Sequence, residues 1–434
     1  MNTEKQRLLD KEWKNWGPYV SNRQWGNVRE DYSPNGDAWN FANHDNAESR
    51  TYRWGEEGIA GISDIKQLFC FAFSFWNKKD IRIKERLFGL SNPQGNHGED
   101  IKEIFYYLDN TPTHSYMKMV YKYPINEFPY EDILNENASR SKKDPEYELF
   151  DTGIFDNDEY FDIFIEYCKS DAHDILIRVT TCNRSDKDAP LVILPTIWYR
   201  NNWKWGYNEY KGQTEAGKDG CINILHNSIS IKKFYSKNKN AKRVFCENET
   251  NHPKLDGVPA VENTYYKDGI NDYIIHHHET INPEQRGTKA AFVIDEIIKA
   301  KESKTFEFRL SPYDMDDAFY QFDEIFAARI KEADDFYSEI QQDTYIEDEK
   351  NVQRQAFAGL LWNKQFYHYN VGKWLHGDPN YEAPRDFKHY VRNAEWEHLH
   401  NKDIISMPDK WEYPWYATWD LAFHCVPFAI IDAE

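Results

Sequence analysis

Between about residues 60 and 310, apolar side chains recur at every second position in short runs, the spacing that turns one face of a β-strand into a core. In DEYFDIFIEYC, Phe161, Ile163, Ile165 and Tyr167 alternate with Tyr160, Asp162, Phe164 and Glu166, so one face is apolar and the other mixed. DILIRVTTC repeats the pattern with Ile175, Ile177 and Val179, and TFEFRL places Phe306, Phe308 and Leu310 on one side. The apolar runs QLFCFAFSFW and APLVILPTIW are set apart by turn-rich stretches such as NRSDKDAP and NPQGNHGED. Short strands at this spacing predict a large β-sandwich. After LSPYDMDD the period lengthens: Phe319, Phe322, Phe326, Ile330, Ala333, Phe336 and Ile340 recur at three and four residues. This predicts a long amphipathic linker helix capped by Asp316 or Asp317. A second helix is expected through KNVQRQAFAGLLWNKQFYHY, with Val352, Ala356, Leu360, Asn363 and Tyr367 along one stripe. Gly377 to Tyr390 reads as loop, and WDLAFHCVPFAIIDAE as an apolar helical run with neither a C-terminal Gly cap nor a polar tail. Such a run should pack against something, and little sequence remains to form it, so the chain is expected to be a fragment.

Charge and composition narrow the partners. With 53 Lys and Arg against 73 Asp and Glu, the formal charge of −20 repels phosphate backbones and anionic membranes, which excludes nucleic acid and membrane as partners. There is no run of about 18 apolar residues, and MNTEKQRLLDKEW is too charged for a signal peptide. Six scattered cysteines without a C-x-x-C pair read as free thiols, consistent with a cytoplasmic protein. The unusual figure is the 16% aromatic share, with 15 Trp and 29 Tyr in a hydrophilic chain. Flat, half-polar rings suit the apolar C–H faces of sugars, although large cores and domain seams account for most of them. No internal repeat is visible.

The densest chemistry lies in RNAEWEHLHNKDIISMPDKWEYPWYATWDLAFH, residues 392 to 424, where Trp396, Trp411, Trp415 and Trp419 surround Asn393, His398, Tyr413, Tyr416 and Asp420. Cleaving a glycosidic bond needs one carboxylic acid to protonate the leaving oxygen and one carboxylate to activate water. Asp420 beside Trp419, with Leu421 and Phe423 following, is placed to be desolvated and so to hold a proton, and it equally suits a cap for the helix that starts there.

The string MPDKWEYPWYATWDLAFH resembles the general-acid motif of glycoside hydrolase family 63, in which an Asp after Trp opens a helix of the catalytic barrel. The likeness runs upstream through RQWGNVREDYSPNGDAWNF, RTYRWGEEGIAGISD, KERLFGLSNPQGNHGEDIKE, YYLDNTPTHSYMK and LPTIWYRN, over nearly the whole chain. It implies an inverting glycosidase acting on α-glucosides or related α-linked sugars. The implied fold is multidomain: an N-terminal segment at 1–60, a β-sandwich at 61–312, a linker helix at 313–345, and at 346–434 the truncated beginning of a six-hairpin (α/α) toroid barrel. Carried over, Asp420 is the general acid, and Trp411, Tyr413, Trp415 and Trp419 line the sugar subsite. Asn393 and His398 are candidates for hydroxyl contacts, and also suit a buried, mutually satisfied polar pair. The implied partner is an oligosaccharide or small glycoside, and no cofactor or metal is called for.

One departure follows. The family's base, a Glu, lies far downstream of its acid, whereas 14 residues follow Asp420 here. Twelve barrel helices need on the order of 200 residues, and about 90 remain after the linker, so this polypeptide is expected to lack its base and to be inactive alone. Glu395, Glu397 and Glu412 have only proximity to commend them as substitutes.

Other patches are weaker. The block Trp25 to Trp54 holds Arg29, Asp37, Trp39, His44, Asp45 and Arg53, of which Asp37 and Trp39 are the candidates to reach a sugar site. The rest suit knitting this segment to the sandwich. His276, His277 and His278 on a strand would point to alternate faces and not converge on one ion. YRNNWKWGYNEYKG, residues 199 to 212, suits a sugar-stacking loop or a sheet edge over an apolar seam. RWGEEGIAG lacks the strand-to-helix setting of a nucleotide fingerprint. The competing functions are a non-catalytic carbohydrate-binding sandwich and phosphorolytic cleavage, and the latter is disfavoured by the absence of a basic cluster in the sequence.

Overall fold

The period-two runs form strands. In the computed structural model, which describes residues 2–26, 43–89, 101–207, 209–380, 394–408, 410 and 415–433, the three alternating runs all turn their apolar faces into one core. They belong to a nine-stranded antiparallel sheet. Its spatial order is Arg286–Gly287, Gln213–Ala216, Ile222–Leu225, Lys233–Ser236, Ser303–Ser311, Asp174–Asn183, Tyr160–Asp171, Tyr116–Pro124, Ile104–Asn110. A second sheet of six strands runs Trp16–Gly17, Ile59–Asp64, Phe69–Trp76, Ala189–Tyr199, Lys289–Ile298, Lys242–Cys246. Phe69, Phe71, Phe73 and Phe75 point from it into the same core, which makes the pair a β-sandwich.

The six-stranded sheet is covered on its outer face too. Cys70, Ala72 and Trp198 cluster with Val20, and Val192, Leu194, Val244 and Cys246 with Ile270 and Ile274 of the helix Gly269–His276. Burial on both faces is why QLFCFAFSFW and APLVILPTIW read as continuous apolar runs.

The N-terminal segment is sewn on by buried polar groups. The Lys169 ammonium, inside the sandwich edge, donates to the carbonyls of Trp13 at 2.5 Å, Trp16 at 2.6 Å and Thr113 at 3.0 Å. The buried Glu4 carboxylate accepts from the Thr113 amide at 2.9 Å, the Thr113 hydroxyl at 2.6 Å and the Ser115 hydroxyl at 2.7 Å.

The helical part departs from the pattern-based expectation in two places. The linker helix spans Phe322–Ser338, with Gln321 at its N-cap in the left-handed region at φ 53°. Asp317 instead accepts from the Phe319 amide at 3.0 Å, closing a turn ahead of the helix. The second helix, Glu347–Trp362, ends before Asn363, and its buried face is Phe357, Ala358, Leu361 and Trp362. The expected stripe is on the other side, with Val352 64% exposed. Tyr367 is not helical: Lys364–Asn370 is a strand paired with His400–Ser406, and its aromatic residues favour the extended backbone. A short helix, Val371–His376, and the helix Thr418–Ile431 complete the described elements of this region. Ile431 packs against Phe336, Tyr337, Phe357 and Leu361. Asp432, just beyond, pairs with Lys14 at 2.9 Å and Lys364 at 3.2 Å, tying the end of the last helix to the N-terminal segment and the hairpin. Among the described residues no helix is long and apolar enough to cross a membrane.

Replacing Lys169 by Met leaves three buried carbonyls without their donor. At about 1–3 kcal/mol for each unsatisfied group, partly relaxed, the expected loss is about 3 kcal/mol in urea unfolding, and a loss below about 0.5 kcal/mol contradicts this role. Burial raises the Asp432 pKa, but Lys364 and Lys14 outweigh it and hold the carboxyl below its ordinary range. A depressed carboxyl stabilises the fold above its unfolded value, near pH 4, and that contribution is lost as pH falls through the lower folded value. Asp432→Asn is therefore expected to cost about 1 kcal/mol at pH 7 and nothing near pH 2, read from thermal melts across this range. A pH-independent difference rules this out.

Candidate functional site

A two-stranded hairpin seldom holds together alone, and this one is packed against two buried tryptophans. On the strand Lys364–Asn370, Tyr367 and Tyr369 face one way and Phe366 and His368 the other. The Trp25 ring meets Tyr367 edge-on at 4.7 Å, while its indole N–H donates to the Phe366 carbonyl at 3.1 Å. Trp54 meets His368 edge-on at 4.9 Å and lies 5.8 Å from Tyr369. Trp25, Tyr52 and Trp54 thus share a core with Tyr367, Tyr369, Val371, Trp374 and Met407. The N-terminal block therefore knits to the hairpin as well as to the sandwich.

Asp420 lies in the first turn of Thr418–Ile431, where the helix dipole favours a carboxylate. It is not the cap, since the N-cap is Ala417, which has no side-chain bond to offer. The Asp420 carboxyl is half-buried and makes no hydrogen bond or ion pair among the described residues. One turn on, His424 holds its Nδ1 at 2.8 Å from the Ser406 hydroxyl, and burial lowers its pKa against the opposing pull of Asp420. Among the described residues the aromatic side chains do not close over Asp420. Trp419 is 70% and Phe423 67% exposed, with their rings edge-on at 6.1 Å. Trp415 packs over Gly26, where an added Cβ would come within 2.3 Å of the indole, and Tyr416 lies 5.4 Å from Tyr367. His398 is exposed beside Trp396, at 5.7 Å between rings, and so is no member of a buried pair. Asp37, Trp39, Asn393, Trp411, Tyr413 and Glu412 lie outside the described residues. Glu395 and Glu397 are exposed.

Between the hairpin and the sandwich lies a pocket of about 130 Å³ that no local run of residues announces. Arg53, Arg200, Lys373 and Lys402 line it with two carboxylates, Asp378 and Glu209. This spatial cluster corrects the expectation that the chain holds no basic patch. The Arg53 guanidinium lies 3.7 Å over the Trp54 ring and pairs with Asp378, which also accepts from the Tyr207 hydroxyl at 2.7 Å. The Lys373 ammonium sits 3.7 Å from the Tyr207 ring centre. Burial, then Arg200, Lys402 and Arg53, push the His368 pKa down to about 2, so it is neutral at any ordinary pH. The segment 199 to 212 contributes Arg200, Trp205 and Tyr207 to this wall. The four cations are single basic residues in separate aromatic contexts, so only three-dimensional placement reveals them.

Two other concavities stand on the sandwich. An open cleft of about 590 Å³, lined by Lys211, Glu247, Asn263, Tyr265, Asn282 and Arg286 among others, lies where the edges of the two sheets meet. A cavity of about 40 Å³ on the outer face of the six-stranded sheet holds Glu56, Glu57, Glu85, Arg86, Lys267 and Lys289. The histidine run is not on a strand: His276 ends a helix and His277 adopts φ 57°. Among the described residues no three His, Cys, Asp or Glu side chains are placed to hold a metal ion.

No family model matches the chain. It is 40% identical, over 475 aligned positions, to the Saccharomyces cerevisiae protein YMR196W, itself uncharacterized, covering 99% of this chain and 44% of that protein. The chain thus spans less than half the length of this relative. Among solved structures, a galactose mutarotase related enzyme from Lactobacillus acidophilus aligns at 7% identity over 49% of this chain and 72% of its own, with a TM-score of 0.21. A human-microbiome protein assigned by name to the kojibiose phosphorylases aligns at 9% identity over 82% of this chain and 39% of its own, also with a TM-score of 0.21. Scores this low fall short of a shared fold.

Proposed function

We propose that this chain carries the proton-donating part of an inverting glycoside hydrolase for α-glucosides or related α-linked oligosaccharides, with Asp420 as general acid. The observation that supports this reading is a half-buried carboxyl, unpartnered among the described residues, beside the outward-facing rings of Trp419 and Phe423. Structural acids of this chain are tied down, as Asp432 is to two lysines and Asp109 to Arg354. A free carboxyl next to a flat ring is what a sugar and its departing oxygen require. In keeping with the resemblance to glycoside hydrolase family 63, residues 346–434 serve as the opening of an (α/α) toroid. Trp411, Tyr413, Trp415 and Trp419 line the subsite, Asn393 and His398 bond hydroxyls, and Asp37 and Trp39 approach from the N-terminal segment. Asp420 protonates the leaving oxygen while a second carboxylate, outside these 434 residues, takes the proton of the attacking water.

On a polypeptide that joins these residues to the second carboxylate, Asp420→Asn is expected to lower kcat on an α-glucoside at least about a hundredfold with little change in KM. Undiminished turnover removes Asp420 from the role. A second reading, glycan binding without chemistry, has the open cleft beside Tyr265 in its favour. It predicts that Tyr265→Ala, and not Trp419→Ala, weakens binding of α-gluco-oligosaccharides to this chain in calorimetric titration.

A further inference from the structure

We infer that the pocket between sandwich and hairpin is a binding site for a tetrahedral oxyanion, either free phosphate or the phosphoryl group of a sugar phosphate. Charge is the first ground. The chain carries −20 overall, yet the groups converging here are four basic side chains against two carboxylates. Arg53 and Asp378 pair with each other, and Asp378 also accepts from the Tyr207 hydroxyl, which leaves Arg200, Lys373 and Lys402 against Glu209. Arg200 is fixed by backbone carbonyls, donating from Nε to Gln67 at 2.8 Å and from its other nitrogens to Lys66 and Arg53, so its charge is held in place without a matching acid. Lys373 and Lys402 have no carboxylate within 4.0 Å among the described residues. Each has its pKa lowered, first by burial and next by a neighbouring arginine, the mark of an ammonium short of counter-charge.

Comparison with the 40 Å³ cavity sharpens the contrast. There Glu57 holds Arg86 at 2.6 Å, Glu85 lies 3.3 Å from Arg86 and 3.8 Å from Lys289, and acids and bases match in number around room for little more than a water. That cluster neutralises itself, whereas the seam pocket does not.

Size and shape give the second ground. The pocket, of about 130 Å³, has room for a phosphoryl group with attached atoms. Lys373 and Lys402 supply ammonium point charges, donors that suit phosphate oxygens. Trp54, Trp205 and Tyr207 form an aromatic rim for whatever the phosphoryl group carries. The site is separate from Asp420 and its test does not depend on the hydrolase reading.

The 434-residue chain is titrated calorimetrically, at constant ionic strength, with inorganic phosphate, glucose 6-phosphate and glucose. Saturable binding of either anion, with none for glucose, is expected. A sugar phosphate binding at least about tenfold tighter than phosphate assigns the ester as ligand, and equal affinities assign the free anion. The double variant Lys373→Gln/Lys402→Gln is expected to weaken binding at least about thirtyfold while melting, without ligand, no lower than the parent, since it relieves like-charge repulsion. Absence of saturable binding by both anions, binding unchanged in the double variant, or a lower melting point of the unliganded variant overturns the assignment.

Discussion

Two tryptophans closing on one strand hold the hairpin Lys364–Asn370 and His400–Ser406 in place. Trp25 and Trp54, from the N-terminal segment, both pack on Lys364–Asn370. The Phe366 amide donates to the Tyr19 carbonyl at 2.9 Å and its carbonyl accepts from the Trp25 indole, so the free edge of the hairpin is paired through chain that precedes the sandwich. The helix bearing Asp420 is tied to the same strand through Lys364 and Asp432, and the seam pocket takes His368 from it. Both candidate sites therefore depend on contacts between residues more than 300 positions apart in sequence.

Buried cations do much of the fastening, and they do it through carbonyl oxygens. Lys169 collects three carbonyls, Arg200 three, and Lys267 those of Ala47 at 2.9 Å and Arg50 at 2.8 Å. Irregular backbone between strands leaves many carbonyls without partners, and a multivalent donor satisfies several at once. An acidic chain can place its few buried cations in this way without matched acids, and where several meet, as at the seam, the local field reverses the sign of the whole.

The sandwich was legible because one-sided burial writes itself into the sequence as alternation, as in Phe161 to Tyr167 and Phe306 to Leu310. The six-stranded sheet, buried on both faces, showed only unbroken apolar runs. The misreading of Val352 to Tyr367 has a physical cause: its residues satisfy a helical spacing by chance, while the buried face is Phe357, Ala358, Leu361 and Trp362 and the last residues pair as a strand with His400–Ser406. Asp420 was legible as a position, at the start of a helix after an aromatic-rich segment. Its surroundings were not, because solvent exposure of Trp419 depends on what else covers that face. The basic pocket left no trace, since Arg53, Arg200, Lys373 and Lys402 come from four separate segments.

Hydrogen exchange on Trp54→Ala tests the clamp most directly. Losing a buried indole costs about 3 kcal/mol or more, so amides of Lys364–Asn370 should lose roughly a hundredfold in protection, while those of Ile163 to Tyr167 in the sandwich keep theirs. Hairpin protection equal to that of the parent, or a sandwich that loosens in step with it, would contradict the account.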